Sequence, residues 1–182
     1  QKCAEQIKWD DEFLLASEKQ FKDSKKAAAY YVSKGWEYFY KEDNDTAMKR
    51  FNQAWLLDKT NPEVYWGFGN LMGKKKEFEQ SIHYLQRSIA LEPKNAKVYE
   101  SLSTSYGQLF FKTKEIKYLN LSIVNLKKVV KMEPKNGRAY GQLANSYSYF
   151  MQKDSLVKYI RKTDEIDAQF VNPEARKIAE EQ

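Results

Sequence analysis

The sequence predicts an all-α fold of stacked, antiparallel helical hairpins, and three observations predict it. Tyr31, Tyr65 and Tyr99 recur at a spacing of 34 residues, and the pattern returns at Tyr140 after 41. Each tyrosine is followed by a small residue four positions on and a bulky one three positions later. These pairs are Gly35 and Tyr38, Gly69 and Met72, Ser103 and Tyr106, and Ala144 and Tyr147. Within each unit the apolar residues also fall at helical rather than strand spacing. A fixed period of this length marks supersecondary units that bury their apolar faces by stacking on one another.

In the first unit (28–61), Tyr31, Gly35, Tyr38 and Phe39 share one helical face. A second face follows at Ala47, Phe51 and Ala54, with Asn44 or Asp45 placed to cap the incoming helix. The second unit (62–95) repeats this with Tyr65, Phe68, Gly69 and Met72, then Ser81, Leu85 and Ser88. It closes on Leu91-Glu92-Pro93-Lys94-Asn95, and the third unit (96–136) closes on Met132-Glu133-Pro134-Lys135-Asn136. Proline cannot continue a helix, so each closure ends one unit and starts the next. The fourth unit (137–170) runs from Tyr140, Leu143, Ala144 and Tyr147 to Leu156 and Ile160.

These residues resemble the tetratricopeptide repeat (TPR) family. The resemblance is carried by the aromatic, Leu/Phe and Gly/Ala trio of each first helix. The Ala/Ser and Phe/Leu pair of each second helix and the two Glu-Pro-Lys-Asn closures add to it. Ser81, Ser88, Leu156 and Thr163 depart where the family prefers alanine. The resemblance implies a right-handed superhelical solenoid in which first helices line a concave groove and polar helices cap the ends. Residues 1–27 suit the N-terminal cap, with Ile7, Leu14 and Phe21 at seven-residue spacing beside Phe13 and Leu15. Residues 171–182 suit the solvating C-terminal helix, with Asn172-Pro173-Glu174 as its start.

The third unit carries seven additional residues between Tyr106 and Ser122. Phe110-Phe111-Lys112-Thr113-Lys114-Glu115-Ile116 contains no glycine or proline, so about one extra turn on each helix is expected. Two readings stand for Phe110, Phe111, Ile116 and Tyr118. The lengthened hairpin tucks them into its own core, or it presents them as a knob that docks a partner.

Composition and motifs narrow the chemistry. The chain is 42% hydrophobic and 31% charged, the balance of a folded soluble protein. No apolar run reaches the length a membrane helix needs. His83 is the only histidine and Cys3 the only cysteine, which excludes an internal triad, a two-histidine or multi-cysteine metal site, and a disulfide. Gly67 and Gly69 lie inside a helix and form no phosphate loop. No catalytic activity, cofactor or metal is expected. The net charge of +6 permits an acidic partner, but arginine is sparse, so specific nucleic-acid binding is not expected. Lys74-Lys75-Lys76, with Lys112 and Lys114, reads as a solvated lysine rim at the hairpin turns. The chain opens on Gln1 rather than methionine, which favours an exported or periplasmic protein with its signal removed over a cytoplasmic one. Lys2 before Cys3 argues against a lipoprotein anchor.

The expected function is therefore a non-catalytic scaffold or adaptor that binds a peptide or protein segment. From the resemblance, the groove positions are Trp36, Tyr40, Trp66, Asn70, Glu100, Asn145 and Tyr149, alongside Thr104, Gln108 and Arg138. Aromatics supply contact area at low entropic cost, and amides hydrogen-bond a peptide backbone. Trp36 and Trp66 read equally as groove lining or as core between hairpins. The family's carboxylate-clamp sub-type needs a lysine and asparagine on the first helix. Val32 and Trp36 hold those places here, so binding of a chaperone tail is not expected. The alternative is an assembly module that oligomerises through the third hairpin or the solenoid ends.

Overall fold

The computed structural model describes residues 3–181. The readings of Gln1 and Lys2 lie outside the described residues. Among the described residues the regular structure is all helical: α1 Ala4–Phe21, α2 Ser24–Tyr40, α3 Asn44–Leu57, α4 Pro62–Lys74, α5 Phe78–Leu91, α6 Ala96–Thr113, α7 Ile116–Met132, α8 Gly137–Ser148, α9 Lys153–Asp164 and α10 Pro173–Glu181. A short 3₁₀ turn, Ala168–Phe170, precedes α10. The chain falls into two compact units that divide between Pro93 and Lys94.

In unit 1, α2 pairs with α3 and α4 with α5. Asp23 caps α2 by accepting from Lys25 N at 2.9 Å, so this helix begins four residues before the repeat boundary read from sequence. Asp43, rather than Asn44 or Asp45, caps α3 by accepting from Thr46 N at 3.0 Å. Glu42 adopts a left-handed conformation (φ 62°), which turns the chain early and brings Asp43 to the cap. Phe51 of α3 is fully buried between two glycines. A Cβ on Gly35 or Gly67 would come within 2.6 or 2.5 Å of its ring, so α2 and α4 approach it closely. Leu85 seats against Gly69 in the same way, and Ser81 Oγ donates to the Gly69 carbonyl at 2.7 Å. Helix α1 meets this unit through Phe13 on Tyr31 (5.2 Å) and Phe21 on Tyr30 (5.3 Å). Ile7 of its expected heptad face is exposed, as are Trp9 and Leu15.

In unit 2, α6 pairs with α7 and α8 with α9. Helices α6 and α7 are 18 and 17 residues long, against 13 and 14 for α4 and α5. The additional residues are thus helical, and only Lys114 and Glu115 separate the two helices. Ser103 Oγ and Ser122 Oγ lie 2.8 Å apart across this hairpin. Tyr159 of α9 stacks on Tyr147 of α8 at 5.4 Å. The C-terminal segment docks tightly, because a Cβ on Gly141 would collide with the Phe170 carbonyl. Asn172 caps α10 by accepting from Glu174 N at 2.8 Å, and Val171 and Ala175 are buried beneath it. The Arg176 guanidinium binds the Asp164 carboxylate of α9 through two nitrogens, one at 3.0 Å, and holds that carboxyl below its ordinary range.

Candidate functional site

Each unit presents its own candidate surface. In unit 1, Trp36 of α2 and Trp66 of α4 meet at 4.4 Å, and Tyr40 stacks beside Trp36 at 6.1 Å. Trp36 also packs edge-on against Phe39 and Phe51, both at 5.3 Å, and its Nε1 is buried with no hydrogen-bond partner. Trp36 is thus anchored in the core while its other side meets Trp66. Tyr40 is 75% exposed. Asn70 Nδ2 donates to the Trp66 carbonyl at 2.8 Å, so its amide is engaged within its own helix. Below this cluster, Lys34 and Lys41 each reach Glu37 at 2.7 Å, and their hydrogen bonds and charge hold its carboxyl down to about 2.

In unit 2, α6, α7, α8 and α10 enclose a concavity of about 600 Å³. Thr104, Gln108 and Phe111 of α6 and Asn145 and Tyr149 of α8 line it, so five residues singled out from sequence meet on one surface. Its floor is apolar and small. Leu119 and Leu126 come from α7, and a Cβ on Gly107 would touch nothing nearer than Ser122 Oγ at 3.9 Å. Gln142 Oε1 and Asn145 Oδ1 are buried in its wall with no hydrogen-bond partner. Glu100 lies elsewhere on α6, paired with Arg138 at 3.2 Å.

The four residues of the lengthened hairpin separate. Phe110 is buried (8% exposed) and touches Tyr149 at 5.6 Å, while Tyr118 is half-buried and stacks on Tyr106 at 6.3 Å. Phe111 and Ile116 are exposed, with Phe111 5.5 Å from Tyr149. Among the described residues, no group of three or more His, Cys, Asp or Glu is placed to hold a metal ion. Among the same residues, no helix is long and apolar enough to cross a membrane.

Residues 62–95 match the family described as tetratricopeptide repeat. The chain also superposes on MamA with a TM-score of 0.68 at 23% identity, over 84% of this chain and 83% of that one. Its fold is that of a tetratricopeptide repeat solenoid. YrrB, described as a TPR protein with an unusual peptide-binding site, matches with a TM-score of 0.70 at 16% identity, over 92% of this chain and 79% of its own. The first TPR of Spaghetti, solved with an HSP90 peptide, matches with a TM-score of 0.62 at 20% identity, over 69% and 94% of the two chains. No curated protein matches the sequence.

The repeat pattern points to the wall of the unit 2 concavity but not to its floor. Leu119, Ser122 and Leu126 belong to a second helix, Asn172 caps α10, and Glu174 and Ile178 lie on α10. One signal was available. Gly107 stands 34 residues after Gly73, the same first-helix position in two successive units, yet the third unit places it in a longer helix.

Proposed function

We propose that this TPR-fold protein is a non-catalytic binding scaffold whose unit 2 concavity receives an extended segment of another protein. The observation that carries this reading is the open floor at Gly107, beneath a rim of amides. The volume lies within the range of sites that bury a ligand side chain and its neighbours. An apolar side chain of the segment enters over Gly107, Leu119 and Leu126, while Gln108, Gln142 and Asn145 hydrogen-bond its backbone. Phe111 and Tyr149 close one end with rigid aromatic area. In unit 1, Trp36, Tyr40 and Trp66 offer a second, aromatic contact face, with Asn70 holding Trp66 through its carbonyl. Val32 and Trp36 leave no clamp for a terminal carboxylate, so a peptide like the one bound to Spaghetti is not the expected partner.

Selection from a displayed library of random peptides tests this. Wild-type protein should retain a set of peptides carrying an apolar anchor. Their affinity should fall about tenfold or more in Gln108→Ala/Asn145→Ala, with far-ultraviolet dichroism unchanged, as for lost polar contacts in a buried site. Trp66→Ala/Asn70→Ala separates the two faces, because it weakens only peptides held by the aromatic face of unit 1. Retention of every selected peptide by both variants would refute the assignment.

A second reading rests on α1, where Ile7, Trp9 (62% exposed) and Leu15 face solvent. Such a surface suits self-association through the N-terminal end. Light scattering at high concentration would then show a dimer that Trp9→Ser dissolves, whereas a monomer throughout removes this reading.

A further inference from the structure

The chain's net positive charge lies in one unit. The first 93 residues carry 15 basic and 15 acidic residues, and the remaining 89 carry 16 and 10. Between Ile116 and Lys153, seven basic residues accompany a single acid, Glu133. At one end of unit 2, the α6–α7 turn and the α8–α9 turn come together through Phe111 and Tyr149 at 5.5 Å. Four large apolar or aromatic residues are exposed there: Phe111, Ile116, Tyr149 and Met151, the last at 70%. Lys112, Lys114, Lys117 and Lys153 stand among them, with Lys114 Nζ 5.8 Å from the Phe111 ring centre. Of the two acids nearby, Glu115 is bound by Lys117 at 2.6 Å, and Asp154 begins α9. The corresponding turns of unit 1 differ. There only Tyr40 is a strongly exposed aromatic, and Glu42, Asp43, Asp45, Glu77 and Glu79 offset Lys41 and Lys74–Lys76.

We infer that this edge of unit 2 docks on an anionic lipid bilayer. The exposed apolar side chains sit on two turns and the helix ends beside them. Ile116 and Met151 are exposed and lie outside the concavity, so they are free to meet a planar surface. All four cations are lysines, point charges on flexible stems that suit a diffuse layer of headgroups better than bidentate recognition of one protein side chain. Lysine stems lie along apolar surface while their ammonium groups reach the phosphates, and Phe, Ile and Met enter the headgroup boundary. Attraction to the surface potential is additive over the lysines and falls with salt. The lengthened α6 and α7 bring three of the lysines and two of the apolar residues to this edge.

Flotation with phosphatidylcholine vesicles, with and without phosphatidylglycerol, tests the inference on the full chain. Binding is expected only to the anionic vesicles and should weaken as salt rises. Lys112→Glu/Lys114→Glu should reduce it about tenfold or more, given a several-fold contribution from each lysine near the surface. Ile116→Ser/Met151→Ser should reduce it several-fold while leaving peptide affinity unchanged, since neither residue lines the concavity. Gln108→Ala/Asn145→Ala should leave flotation unchanged. No binding to anionic vesicles at low salt would overturn the inference, as would binding insensitive to both tip variants. If Ile116→Ser/Met151→Ser instead lowers the mass seen by light scattering and vesicles are not bound, the edge is a protein interface and the inference fails.

Discussion

The first helices of unit 1 and the lengthened α6 of unit 2 use their glycines differently. In unit 1 three first-helix glycines are filled by neighbours, Gly35 and Gly67 by Phe51 and Gly69 by Leu85. On α6 of unit 2 a Cβ at Gly107 would meet only Ser122 Oγ, at 3.9 Å, and Gly107 lines the concavity of about 600 Å³, whereas Gly137 and Gly141 of α8 are closed off by Ile166 and Phe170. Glycines of one repeat pattern thus differ in whether a bulky neighbour fills the space beside them. A glycine in such a repeat therefore acquires meaning from the bulky residue opposite it, not from its own place in the period.

The largest expected effect lies in the filled unit. Phe51→Ala leaves a cavity between Gly35 and Gly67 and should cost about 3–5 kcal/mol, measured by denaturant unfolding. Gly67→Ala pushes a methyl into the Phe51 ring and should cost about 1–3 kcal/mol by overpacking. The matched change Gly107→Ala should do the reverse. It meets no close neighbour and removes a helix-interior glycine, so stability should rise by about 0.5–1 kcal/mol. Equal effects at Gly67 and Gly107 would dissolve the contrast between the units.

A smaller effect separates the units by acid. Lys34 and Lys41 depress the Glu37 carboxyl in unit 1, and Arg176 depresses Asp164 in unit 2. A depressed carboxyl stabilises the fold fully above its ordinary value, and that contribution is lost as pH falls through the lowered one. For Glu37 the window runs from 4.5 down to about 2. Asp164 loses its contribution as pH falls below 3.8, and with it the tie between α9 and α10. Arg176→Ala should speed amide exchange in α10 at neutral pH, cost about 0.2–1 kcal/mol as an exposed pair, and leave α1–α5 exchange unchanged. An effect of similar size concerns the turns, where Glu42, Lys76, Lys114 and Met151 all hold positive φ. Lys76→Gly should raise the stability of unit 1 by up to about 1 kcal/mol by relieving that left-handed residue.

The hairpins were legible in the sequence because period, small residues and Glu-Pro closures agree locally. Their edges were less so, since the cap at Asp43 depends on the left-handed turn at Glu42 and not on residue type alone. Among the candidate site residues, Thr104 and Gln108 followed from the face of α6, and Asn145 and Tyr149 from that of α8 and its C-cap, which a sequence displays. The floor at Gly107, Leu119 and Leu126 did not, because it depends on how far the lengthened α7 sits from α6. The pairing of Glu100 with Arg138 likewise links two hairpins, and each residue alone reads as a groove position. The charge division needed the boundary at Pro93 and Lys94 before a neutral half and a basic half could be seen.

We propose that the concavity over Gly107 in unit 2 is a binding site. Isothermal titration of one selected peptide against wild type and Gly107→Leu tests it most directly, because the leucine fills the space without touching the amide rim. Affinity should fall by about tenfold or more with melting temperature unchanged or raised. Full affinity in Gly107→Leu would contradict the account.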